Sequence, residues 1–181
     1  MKHKIKKVNV FNFLKSESII VEISPNSAIV KESANELASG CLQEVTLNLD
    51  IEGSKIWQMK TESGTFLEPN SKKVDSIILL EKDGMLHIVL IELKSTKIKN
   101  TDIFEKFEKS ISWVYLLLNL LNGKEEQDIK VYGVLVAQRN KNWDEMDDLQ
   151  IFSSTNIRYK KKSFHTTNTS MNINLSDIIT A

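Results

Sequence analysis

The sequence predicts an α/β fold: a mixed central sheet flanked by helices, with an added N-terminal hairpin. Three stretches carry that expectation. Residues 73–94, KVDSIILLEKDGMLHIVLIELK, read as two apolar strands joined by a tight turn at Lys82-Asp83-Gly84. Residues 101–121 place Ile103, Phe104, Phe107, Ile111, Val114, Leu118 and Leu121 on one helical stripe, and Asn122-Gly123 supplies the stop. Residues 129–137, IKVYGVLVA, form a mostly apolar run of the kind found in a buried strand. Strand, helix, strand in that order predicts a right-handed crossover, with the last strand parallel to the one ending at Lys94.

The remaining elements follow in chain order. SIIVEISPNSAIVKE, residues 18–32, has two β-branched runs around Pro25-Asn26 and reads as a hairpin. Ser33-Ala34-Asn35-Glu36 is a capping box opening a short helix, with Ala34, Leu37, Ala38, Cys41, Leu42 and Val45 on one face. Val45, Leu47, Leu49 and Ile51 alternate with polar neighbours, and Glu52-Gly53-Ser54 leads into residues 55–60 as a second hairpin. The polar tail predicts a last strand at residues 156–161 and a short helix after Ser176.

Composition bounds the class. With 181 residues, 41% of them hydrophobic, the chain suits a single domain, its core at about residues 33–137. Twenty-four basic residues balance twenty-four acidic ones, so any nucleic-acid surface must be a local groove. A lone cysteine, Cys41, rules out an intramolecular disulfide and a Cys-rich zinc site. The N-terminal stretch lacks the apolar region of a signal peptide, and residues 113–121 are too short for a membrane span, so the expected location is the cytoplasm, with no membrane partner. No Gly-rich phosphate loop, metal-spaced histidine pair or G-x-S-x-G elbow is present.

The chemistry concentrates in residues 73–94. Glu92 and Lys94 are two apart in a strand and so share a face; pairing through the Lys82-Asp83-Gly84 turn brings Asp75 beside Glu92. An unpaired carboxylate in a core strand is costly. A hard divalent cation accounts for two adjacent carboxylates, because it takes oxygen ligands while keeping sites for water and substrate. An ammonium alongside can then orient water and stabilise negative charge on a phosphate.

Asp75, sixteen intervening residues, then Glu92-Leu93-Lys94 resembles the PD-(D/E)XK nuclease superfamily in spacing and in strand-turn-strand context. The resemblance covers residues 74–137 and implies a restriction-endonuclease-like αβββαβ core. It implies Asp75 and Glu92 as ligands of Mg²⁺ or Mn²⁺, joined by the Leu93 carbonyl, with Lys94 positioning or activating the attacking water. The implied activity is phosphodiester hydrolysis by an endonuclease, with DNA favoured over RNA. One position departs from the pattern: the proline usually preceding the aspartate is Val74. Members often carry a glutamate on the first helix; Glu36 is occupied by the capping box, which leaves Glu44 as the fourth catalytic candidate.

Lys97, Lys99 and Arg139, with Arg158, Lys160, Lys161 and Lys162, either line a groove for a nucleic-acid backbone or form a solvated face. Lys106 and Lys109 face either the site or water. Trp57, Trp113 and Trp143 are read as packing residues, and His87 as structural. So small a domain needs a second copy, or a place in a larger complex, to cut both strands. Two alternatives remain: a catalytically inactive nuclease-fold subunit that binds nucleic acid or serves as a scaffold, and an interaction domain whose charged triad is accidental.

Overall fold

A computed structural model describes residues 3–7, 20–22, 27–31, 42–52, 54–59, 61, 72–95, 100–120, 125–138, 149–151 and 158–179. Its elements are β1 (His3–Lys7), β2 (Ile20–Glu22), β3 (Ser27–Lys31), β4 (Glu44–Asn48), β5 (Lys55–Met59), β6 (Ser76–Lys82), β7 (Met85–Lys94), α1 (Asn100–Leu120), β8 (Glu125–Ala137), β9 (Leu149–Ile151), β10 (Arg158–His165), β11 (Ser170–Asn174) and α2 (Leu175–Ile179). The fold is α/β with mixed sheets. The larger sheet runs β2-β5-β6-β7-β8-β10-β9, with β1 antiparallel to the start of β8; a three-stranded sheet runs β11-β4-β3.

The β6–β7 hairpin forms where the sequence places it. Lys82 pairs with Met85 across a two-residue turn whose residues, Asp83 and Gly84, have φ of 51° and 73°. Two successive positive φ values twist the turn to match the strands, and Asp-Gly tolerates them. Strand β8 lies parallel to β7, from Met85↔Asp128 to Lys94↔Ala137. The helix between them spans the predicted residues to within one at each end.

Side-chain alternation sorts the core into two layers. Ile77, Leu79, Leu86, Ile88 and Leu90 point toward α1 and meet Ile103, Phe107, Ile111, Val114 and Leu118. Each such residue contributes roughly 1.5–3 kcal/mol on full burial. Ile78, Leu80, Val89, Ile91 and Leu93 point the other way, into a layer shared with Val30, Val45 and Leu47 of the small sheet and with Leu175 and Ile178 of α2. The C-terminal strand and helix complete this second apolar layer through Ile173, Leu175, Ile178 and Ile179. His87 and Tyr132 stack in this layer with ring centroids 5.9 Å apart. The Tyr132 hydroxyl donates to the Ile179 carbonyl at 3.2 Å, which ties α2 to the sheet. With that proton committed, the His87 Nδ1–H is the donor in the 3.2 Å contact to Tyr132 Oη. Burial lowers the His87 pKa, in keeping with a neutral ring.

Both predicted upstream hairpins are corrected. Strands β2 and β3 join different sheets, β2 pairing with β5 and β3 with β4; β4 and β5 are likewise separated, since β4 pairs with β3 and with the distant β11. Alternation identifies a strand and its buried face but does not name its partner. The helix expected from Ser33 lies mostly outside the described residues; its far end is strand from Glu44 onward. The last predicted strand is longer, Arg158–His165, and parallel to β8.

Gly133 of β8 tests the first layer. A Cβ there would lie 2.7 and 2.8 Å from ring carbons of Tyr159 and 3.3 Å from Phe107, whose two rings pack edge to face at 6.1 Å. Gly133→Ala is expected to destabilise the protein by about 1–3 kcal/mol, the usual cost of overpacking a rigid contact. Urea denaturation measures it, and an unchanged midpoint would contradict the packing.

Candidate active site

The last β6–β7 pair is Ser76↔Ile91, so the antiparallel register continued by one residue sets Asp75 opposite Glu92. Directly opposed residues share a face, here the one covered by α1. Beyond the ladder, the Leu93 N–H donates to Asp75 Oδ2 at 2.7 Å, so the carboxylate takes over the acceptor role at the strand end. Lys94, on the same face as Glu92, holds its ammonium 3.2 Å from Glu92 Oε1.

A fourth charged residue completes the cluster. Lys106, from the second turn of α1, reaches down to the same Glu92 Oε1 at 2.5 Å. Two ammonium groups thus share one oxygen of a carboxylate whose side chain has 0% exposure. The other oxygen, Oε2, is buried with no hydrogen-bond partner. Burial pushes the Glu92 pKa up, against the pull of both lysines. Asp75 is pushed up to about 7, chiefly by burial and then by the Glu92 charge, with the Leu93 N–H, Lys106 and Lys94 opposing.

Helix α1 is fixed over this cluster at two further points. The Val74 N–H donates to the buried Ser110 Oγ at 3.1 Å. A proline at this position would have no N–H to give, so Val74 provides an anchor that proline would forfeit. Lys72 forms ion pairs with Glu105 at 2.6 Å and Asp102 at 3.3 Å, linking the lead-in of β6 to the start of α1. Thr61 Oγ–H donates to the Asp75 carbonyl at 2.9 Å.

The structure therefore brings together Asp75, Glu92 and Lys94, with the Leu93 backbone beside them. Lys106 joins them, while Lys109 turns to Glu105 at 2.9 Å. Lys106 lies on the flank of the apolar stripe one turn before the buried Ser110, and the sequence alone did not tell whether it faces the cluster or water. Glu44 is not brought to the cluster. As a strand residue it lies on the outer face of β4, with Val45 and Leu47 inward, and pairs with Lys31 at 3.8 Å. Lys97, Lys99, Arg139, Glu36, Cys41 and Trp143 lie outside the described residues. Arg158 and Lys160 are exposed and Lys161 is buried on β10, with His165 exposed at its end. Trp57 is core, and Trp113 packs against it half-buried.

No family model, curated protein or solved structure matches this chain. Among the described residues, no three His, Cys, Asp or Glu side chains are grouped to hold a metal ion, and the carboxylates these residues place at the cluster are Asp75 and Glu92. No helix among them is long and apolar enough to cross a membrane.

Proposed function

We propose that this protein is a divalent-metal-dependent nuclease of the restriction-endonuclease-like fold that hydrolyses phosphodiester bonds, with DNA rather than RNA the substrate that the resemblance favours. The observation that carries the reading is the register-matched pair Asp75 and Glu92 on one sheet face, with the Lys94 ammonium at Glu92 and one Glu92 oxygen buried without a partner. The order β5-β6-β7-α1-β8, with β8 parallel to β7, supports it as the βββαβ part of the implied core.

The donor set fits a hard cation. Glu92 Oε2 is a desolvated oxygen lacking a donor, and Asp75 is a carboxyl that burial has made reluctant to ionise; a divalent ion relieves both costs. Asp75 and Glu92 would hold Mg²⁺ or Mn²⁺, with the Leu93 carbonyl as the resemblance implies. When bound, the ion supplies Lewis acidity toward a phosphate oxygen and makes a coordinated water more acidic. Lys94 supplies a fixed ammonium that orients the attacking water and offsets charge developing on the phosphate. Helix α1, seated by Val74 and Ser110, excludes bulk water and strengthens both effects. A homodimer, or assembly into a larger complex, provides the second cut.

A closed, charge-paired site also favours the second reading, an inactive nuclease-fold subunit that binds nucleic acid. Calorimetry and cleavage separate them. Wild type is expected to bind Mg²⁺ or Mn²⁺, and Asp75→Ala to abolish that binding. Lys94→Ala should retain the ion and lose at least ~100-fold in cleavage of labelled DNA. Metal binding without cleavage of single- or double-stranded DNA or RNA would establish the inactive subunit; no metal binding at all would overturn the nuclease reading.

A further inference from the structure

We infer that Lys106 is a built-in counter-ion that occupies Glu92 until a divalent cation arrives and is then transferred to a phosphate oxygen of the nucleic-acid strand. The inference rests on the metal-site reading of Asp75 and Glu92 and assigns the fourth charged residue of the cluster a separate role.

The geometry distinguishes the two lysines. Lys94 belongs to the strand that carries Glu92, and its side chain is 4% exposed, so it has little room to move. Lys106 comes from the helix that covers the sheet, and its side chain is 19% exposed, so it is the less enclosed of the two. Both contact Oε1, and neither contacts Oε2. Lys94 alone balances one carboxylate. Lys106 is the charge that balances the second, and it lies close enough to act on Asp75 as well.

Among the described residues the cluster holds two ammonium groups against at most two carboxylate charges, so it carries no surplus negative charge. A divalent ion held by Asp75 and Glu92 would add two positive charges to a cluster that already contains both ammonium groups, in a site where water screens poorly. The balance is restored by displacing one ammonium or admitting an anion, and moving the freer lysine onto a phosphodiester oxygen does both. Lys106 would thereby couple metal loading to substrate binding, each favouring the other.

Mn²⁺ calorimetry on nucleic-acid-free protein tests the first half. Lys106→Met removes the competing charge and should tighten Mn²⁺ binding roughly tenfold or more, whereas loss of a merely structural lysine would leave it equal or weaker. Lys106→Arg keeps the charge and should return the affinity toward wild type. The second half is read by fluorescence anisotropy of a labelled DNA strand in the non-cleaving Lys94→Ala background: Lys106→Met should remove the gain in DNA affinity that Mg²⁺ confers. Wild-type Mn²⁺ binding that Lys106→Met leaves unchanged or weakens overturns this inference alone. Retention of the Mg²⁺-dependent DNA affinity also overturns it. Absence of Mn²⁺ binding in both proteins overturns the metal site with it. If Lys106→Met fails to fold, as judged by its melting curve, Lys106→Gln carries the same expectations.

Discussion

Asp75→Asn is expected to stabilise the metal-free protein at pH 8 while abolishing its response to divalent ions. Burial and the neighbouring Glu92 charge raise the Asp75 pKa from its ordinary 3.8 to about 7. The folded protein therefore retains a proton that the unfolded chain releases. Where the native state binds more protons than the unfolded one, stability falls as pH rises. The loss from this group begins near pH 4, accumulates up to about pH 7 and then levels off. It amounts to a few kcal/mol, since each tenfold difference in proton affinity between the two states is worth about 1.4 kcal/mol. Asparagine carries no charge to desolvate, and its side-chain oxygen can still accept the Leu93 N–H. Urea midpoints at pH 5 and pH 8, with and without Mg²⁺, measure the effect. Wild type should weaken between the two pH values and recover with Mg²⁺, while the variant should do neither; parallel profiles for the two proteins would refute the assignment.

Glu92→Leu should be the more damaging change, costing about 3–5 kcal/mol, because it removes the carboxylate that Lys94 and Lys106 both contact and leaves Asp75 as the carboxylate beside two ammonium groups, one of them almost fully buried. The loss should be largely recovered in the triple variant Glu92→Leu/Lys94→Met/Lys106→Met, where apolar groups replace the whole cluster. Thermal and urea unfolding of the single and triple variants report the difference. A single variant as stable as wild type would show that the two ammonium groups do not depend on Glu92. Recovery in the triple variant would show that stability does not require the cluster.

The centre of the fold was legible because its signals are local. Residues 100–120 carry an uninterrupted helical stripe, and residues 76–94 two apolar runs around Asp83-Gly84. The periphery was not. The alternating residues of β4 specify a strand with Val45 and Leu47 inward, yet its partners are β3 and β11, the latter paired as Ser170↔Glu44. Nothing within a few residues of Val45 records that pairing. The same strand removes Glu44 from the site, since period two turns it outward to Lys31, where a helix would have set it on the flank of the apolar face.

By itself, the sequence determined that Asp75 stands opposite Glu92. A two-residue turn at Asp83-Gly84 fixes the hairpin register, and register fixes every cross-strand neighbour to the ends of β6 and β7. It likewise placed Lys94 on that face. Only the tertiary structure decided that Lys106 shares the Glu92 carboxylate and that the Val74 N–H meets Ser110. Both contacts depend on how far along the sheet and at what rotation α1 settles. That is a property of the packed interface between helix and sheet, and no stretch of either element encodes it alone.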